Sequence, residues 1–334
     1  MMNNADLPLI QYTIWPEDLH GHRFKVKLHI ANPDPEGQIV QMPSWIPGSY
    51  LIRDFSKHIE SIEAFSSDST KKKLALERID NDQWRLPKCN CSIDIITTVY
   101  AFDNSVRAAY LDTERGFFNP TSLCLAVKGQ TDTPCSLALT APEEAFADHW
   151  TVQTCLQEAK TDERGFGYYL AQNYDDLIDH PIAMGDFQLV RWNSNNTNHI
   201  MAIQGCIHSI DASRLAKDLQ AICSCTIQLF EPKTQKPPFK NYLFLVNAVQ
   251  NGYGGLEHRN STALLCRRDQ IPQKNIELDE ASYREFLGLC SHEYFHAWLV
   301  KRIQPKAFQP YQLNQRNYTS LLWLFEGFTS YYDD

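Results

Sequence analysis

The chain has 334 residues, 43% of them hydrophobic and 21% charged, a balance that allows sizeable cores and suits two domains. The 40 acidic residues against 31 lysines and arginines leave a net charge of −9, which argues against nucleic-acid binding, because phosphate contacts need clustered cations. No stretch reaches the roughly 18 apolar residues of a membrane span, and the first residues lack the basic flank and apolar run of a signal peptide.

Residues 8 to about 170 read as all-β. Arg23–Ile30 alternates polar and apolar side chains, the pattern of a strand with one face buried. Segments 92–100, 122–127 and 136–140 are further strand candidates, separated by turns at intervals suited to an antiparallel β-sandwich. Between them, Pro43 and Pro47 bracket Trp45-Ile46 in a rigid irregular loop over 42–55, where Arg53 and Asp54 are placed to pair. The join falls within 165–186, where 174–181 reads as a polar linker ending on Pro181, and domains of 1–172 and 173–334 are expected. His180 has Asp175, Asp176 and Asp179 nearby, but a linker is the better reading than a metal site.

Strands are expected over 187–192 and 199–205, then a helix over 211–230 with Leu215, Leu219 and Ile222 on one stripe. A strong strand over 242–249 leads to a glycine-rich turn at 251–255. The ten cysteines are scattered without C-x-x-C spacing, which fits reduced thiols in a cytoplasmic protein.

Ser282 and Glu285, in capping-box spacing, and the absence of proline support a helix running into His292-Glu293-Tyr294-Phe295-His296, an H-E-x-x-H motif. Residues four apart share one helical face, so His292 and His296 can offer two imidazole nitrogens to one metal ion. Glu293 then borders the metal, where a carboxylate can take a proton from water and return it to a leaving amine. A catalytic zinc needs a third protein ligand, yet no histidine follows His296 and the downstream acids are Glu326, Asp333 and Asp334. Glu326 lies in the apolar run Leu321-Leu322-Trp323-Leu324-Phe325-Glu326-Gly327-Phe328. An unpaired carboxylate is costly there unless a metal meets it.

His292 to His296 together with Trp323 to Phe328 resembles the gluzincin metallopeptidases, whose third ligand is a glutamate on a second helix. Gly254-Gly255-Leu256-Glu257-His258 resembles the Gly-x-Met-Glu-Asn loop of aminopeptidase-N-type enzymes, in the form typical of the glycyl aminopeptidase family. The stretches 42–55 and 110–120 are similar to that family too. The resemblance implies an α+β protein: an amino-terminal β-sandwich followed by the first part of a thermolysin-like zinc domain. Gly255 and Glu257 would then lie along the substrate cleft, with the Glu257 carboxylate holding the charged α-amine of a peptide and so selecting free amino termini. Small amino-terminal residues such as Gly or Ala are the implied preference. His258 replaces the Asn of the pattern, so the role of that Asn need not transfer.

Thr329, Ser330 or Asp333 are candidates to orient a ligand from past Glu326. The family likeness implies a helical continuation, commonly with a PDZ domain, that supplies a tyrosine to the oxyanion, so a fragment or truncated product is the expectation. Two other readings stay open: an endopeptidase of thermolysin type, and a non-catalytic binding module with a residual zinc site. Oligomeric state is not legible.

Overall fold

A computed structural model describes residues 8–333, which divide into two compact units. The first takes in the chain up to Val152, with Leu156–Gly185 and Gln312–Arg316; the second holds Gln153–Cys155, Asp186–Tyr311 and the residues from Asn317 onward. The first unit is β-rich and the second mixes sheet and helix, making the molecule α+β. Among the described residues no helix is long and apolar enough to cross a membrane.

An eight-stranded sheet dominates the first unit, with Arg23–Ile30 between Ile10–Asp18 and Ile93–Tyr100. Phe24, Val26, Leu28 and Ile30 are buried while the intervening residues stay partly exposed, as the alternation requires. Pairing is antiparallel except where Ile10–Asp18 runs parallel to Cys135–Leu139.

Three local expectations give way. Residues 122–127 do not form one strand: Pro120–Ser122 is a 3-10 turn, closed by Ser122 Oγ donating to the Asn119 carbonyl at 2.7 Å, and Ala126–Val127 is all the strand that remains. Proline's fixed φ and missing N–H favour that turn. The linker expected at 174–181 holds a short helix, α1 (Tyr174–Ile178), whose N-cap Asn173 accepts from the Asp176 N–H at 2.8 Å. Tyr174, Leu177 and Ile178, at helical spacing, are buried, and so are Asp179 and His180. Apolar periodicity thus outweighs the acidic composition, and residues 173–185 belong to the first unit. Lastly, Arg53 does not pair with Asp54 but donates from Nε to Ser49 Oγ at 2.8 Å.

The loop over 42–55 is as irregular as its prolines demand, and it grips residues 312–316. Ser44 N donates to the Leu313 carbonyl at 2.7 Å and Trp45 Nε1 to the Gln312 carbonyl at 2.9 Å. Ser44 Oγ in turn donates to buried Asp82 at 2.8 Å.

In the second unit a five-stranded sheet has the order Gln188–Ser194, Thr197–Gln204, Asn241–Val249, Ser261–Arg267, Gly254–Glu257. Its three inner strands are mutually parallel and its two edges antiparallel. Helices α2 (Ala212–Phe230) and α3 (Glu280–Phe295) share a core with it, in which Leu215, Leu219 and Ile227 meet Phe244, Phe286 and Tyr294. The start of α3 differs from the capping box: Asp279 is the N-cap, accepting from the Ala281 and Ser282 N–H groups, and Ser282 Oγ adds to it at 2.7 Å. A carboxylate one turn earlier meets the helix dipole better than a hydroxyl. A final helix, α4 (Leu322–Tyr332), carries Glu326.

Candidate metal centre

The H-E-x-x-H residues occupy the last turn of α3, with His296 as its C-cap. Their one-turn spacing brings His292 Nε2 to 3.1 Å from His296 Nε2. From α4, Glu326 Oε2 approaches to 3.7 Å from the first and 3.5 Å from the second. One ligand atom from each of the three residues lies within 4.8 Å of the other two.

Whether a cation suits these donors is decided by what the other ring nitrogens do. His292 Nδ1 donates to Asp333 Oδ2 at 2.7 Å, and His296 Nδ1 to the Leu299 carbonyl at 2.9 Å. Each imidazole therefore turns its Nε2 toward the shared point, and a cation that displaces the proton there meets the tautomer a metal-ligating histidine needs. Asp333 lies seven residues beyond Glu326, two turns along the same helical face, so one helix delivers both carboxylates. Of the other candidates past Glu326, Thr329 Oγ1 is engaged by the Phe325 carbonyl at 2.6 Å and Ser330 is exposed.

The field around this point is negative. Burial by itself would lower His296, but the carboxylates of Glu257, Glu326 and Glu293 outweigh it and raise the imidazole to about 10. Glu326 responds the opposite way: burial pushes it up, and the neighbouring imidazoles of His292 and His296 bring it down to about 2. Glu293, fully enclosed, is raised to about 7 by burial first and by the Glu257 charge second. Both glutamates hold a buried oxygen without a hydrogen-bond partner, Glu257 Oε1 and Glu293 Oε2. Two imidazole Nε2 atoms, a converging carboxylate and further buried acid oxygens make a negative pocket whose donor set fits a divalent cation that displaces the imidazole protons.

The remaining expected residues lie on the sheet edge. Glu257 ends the strand Gly254–Glu257 and is 4% exposed. Gly255 lies against Glu293: a Cβ built on it would be 2.0 Å from Glu293 Oε1. Its missing side chain is the space that the carboxylate fills. Sequence reasoning missed this approach, and it missed the buried His199, whose Nε2 accepts from the Tyr294 hydroxyl at 2.9 Å behind the motif. A histidine inside an apolar strand was the available signal.

The fold is that of the M1 zinc metallopeptidases. A variant of the M1 zinc metallopeptidase from Deinococcus radiodurans bound to a Tyr-Ser-Ala substrate superposes with a TM-score of 0.50 at 8% identity, over 98% of this chain and 69% of that one. Leukotriene A4 hydrolase from Saccharomyces cerevisiae gives 0.50 at 12%, over 99% and 48%. Within that fold the chain belongs to the M61 peptidase family: the Peptidase M61 N-terminal domain matches residues 11–186, and the M61 glycyl aminopeptidase domain matches 285–334. An aminopeptidase N family protein from Idiomarina loihiensis is 46% identical, with a TM-score of 0.91 over 97% of this chain and 53% of its own. The chain thus spans about half the length of that relative. A comparison with curated proteins finds no match.

Proposed function

We propose that this chain carries the zinc centre of an aminopeptidase that releases small residues such as Gly or Ala from peptide amino termini. His292, His296 and Glu326 hold the metal. The observation that carries the reading is the pair of Nδ1 hydrogen bonds, which leaves both Nε2 atoms aimed at one point beside Glu326. Two nitrogens and one carboxylate are a donor set that would hold a catalytic zinc. When bound, zinc supplies a Lewis acid that polarises a carbonyl and makes water acidic.

The chain's own residues do the rest. Glu293, poised near neutrality, takes a proton from the attacking water and passes it to the nitrogen of the leaving amine. Glu257 offers its buried, unpartnered Oε1 to the ammonium of the substrate's first residue; burial makes that charge pair strong and selects a free terminus. Ten free cysteines favour a reducing, cytoplasmic compartment.

The test is zinc content by elemental analysis on the wild-type chain and on Glu326→Ala, with hydrolysis of free and amino-blocked Gly and Ala amides by wild type and Glu257→Ala. Close to one zinc per chain, lost in Glu326→Ala, and a loss in Glu257→Ala confined to free substrates are expected. Equal loss on both substrates sinks the role of Glu257, and internal cleavage of a blocked peptide turns the reading to an endopeptidase.

A further inference from the structure

Tyr294 lies two residues from His292 and two from His296. At 100° per residue that puts it on the opposite side of α3 from the metal-facing histidines. The ring is fully buried, with Phe239, Tyr242, Phe244 and Trp298 at centroid distances of 6.0, 4.7, 6.0 and 5.7 Å. Apolar contacts of this kind hold the helix against the sheet but include no directional bond of their own. The hydroxyl supplies a direction. It donates to His199 Nε2 at 2.9 Å, and His199 Nδ1 donates to the Thr197 carbonyl at 3.0 Å, tying the motif to the backbone of Thr197–Gln204. Near the motif the Tyr242 hydroxyl also reaches the Glu293 carbonyl, at a longer 3.4 Å, and three turns earlier on the same face the Tyr283 hydroxyl donates to Asp218 Oδ2 at 2.9 Å, so the Tyr294 hydroxyl is the short tie at the metal end of the helix.

We propose that Tyr294 and His199 are positioning residues: their hydrogen bond sets the rotation of α3 and so the angle at which His292 and His296 face the metal. The inference rests on the metal reading above. A roll of about 10° swings a histidine nitrogen near the rim of the helix by roughly 1 Å, whereas a metal site must be held within about 0.5 Å. Neither residue touches the metal or the substrate.

Cobalt(II) titration of the full chain, read by visible absorption and by competition with zinc, tests this beside urea unfolding. Three proteins are compared: wild type, Tyr294→Phe, and Tyr294→Phe combined with His199→Leu. The single variant leaves His199 Nε2 buried without a partner, so it loses stability and binds cobalt on the order of tenfold more weakly. The double variant removes both partners and regains stability. Its cobalt affinity stays low and its absorption band stays altered, because the directional tie is still missing. Wild-type affinity and spectrum in the double variant would make the pair a matter of stability alone and overturn the proposal. A wild-type chain that takes up neither metal overturns the metal centre itself, and this inference with it.

Discussion

At the scale of single residues the centre is defined by what cannot be changed without moving a carboxylate. Gly255 has its Cα against the acid group of Glu293, so Gly255→Ala inserts a methyl where Oε1 now sits. The strand backbone is fixed by pairing with Ser261–Arg267, which leaves the Glu293 side chain to give way. A shift of about 1 Å in a group that carries a proton costs on the order of 100-fold in kcat. On the proposed zinc peptidase reading, because the histidines and Glu326 are untouched, Gly255→Ala should keep its metal while losing turnover. Steady-state kinetics alongside elemental analysis decides the point: wild-type kcat would show that Glu293 tolerates the methyl, and lost zinc would show that the strand edge supports the metal as well.

At the scale of elements, the join between α3 and its sheet carries a pH dependence with a definite sign. Burial holds His199 down, from the ordinary 6.5 to about 4. The unfolded chain therefore takes a proton on this residue below pH 6.5 that the folded chain refuses, and stability falls as pH drops from 6.5 towards 4, by about 3 kcal/mol in all. Urea midpoints at pH 7.5, 6 and 5 should fall more steeply for wild type than for His199→Gln, since the substitution removes this titration; parallel slopes would remove His199 as the cause. Such cross-element contacts are what the sequence does not display. Elements with one strong period were legible: Arg23–Ile30, Asn241–Val249 and α2 lie where alternation or an apolar stripe puts them. The convergence of His292, His296 and Glu326 was legible too, because two of them are fixed by helical spacing and the third is the acid whose apolar setting needs a charge partner. The start of α3 at Asp279, the helix α1 within an acidic stretch, the closeness of Gly255 to Glu293 and the Tyr294–His199 bond were not. Each depends on a partner far along the chain or on competition between local signals of similar strength.

At the scale of the whole molecule, each unit is built around its own sheets, and the candidate metal residues sit on two helices of unequal support. α3 is set in the core of the second unit, whereas α4 buries just Phe325 and Thr329 among its described residues. Trp323 is 66% exposed and Tyr331 75%, with Phe328 and Tyr332 also open to solvent, so the helix that supplies Glu326 presents an aromatic face to water. Single exposed apolar residues are ordinary, but several on one helix form a patch of the kind that takes up apolar ligands or associates. A net charge of −9 opposes association at low salt, and screening weakens that opposition as salt rises. The native chain should therefore enhance the fluorescence of an anilinonaphthalene sulfonate dye and sediment faster at 1 M than at 0.05 M salt, about 3 against 14 Å in screening length. Replacing Trp323, Phe328 and Tyr331 together by glutamine should remove both effects while leaving α3 folded, as followed by circular dichroism. Dye binding that persists in this triple variant would locate the apolar surface elsewhere and leave α4 adequately covered by its neighbours.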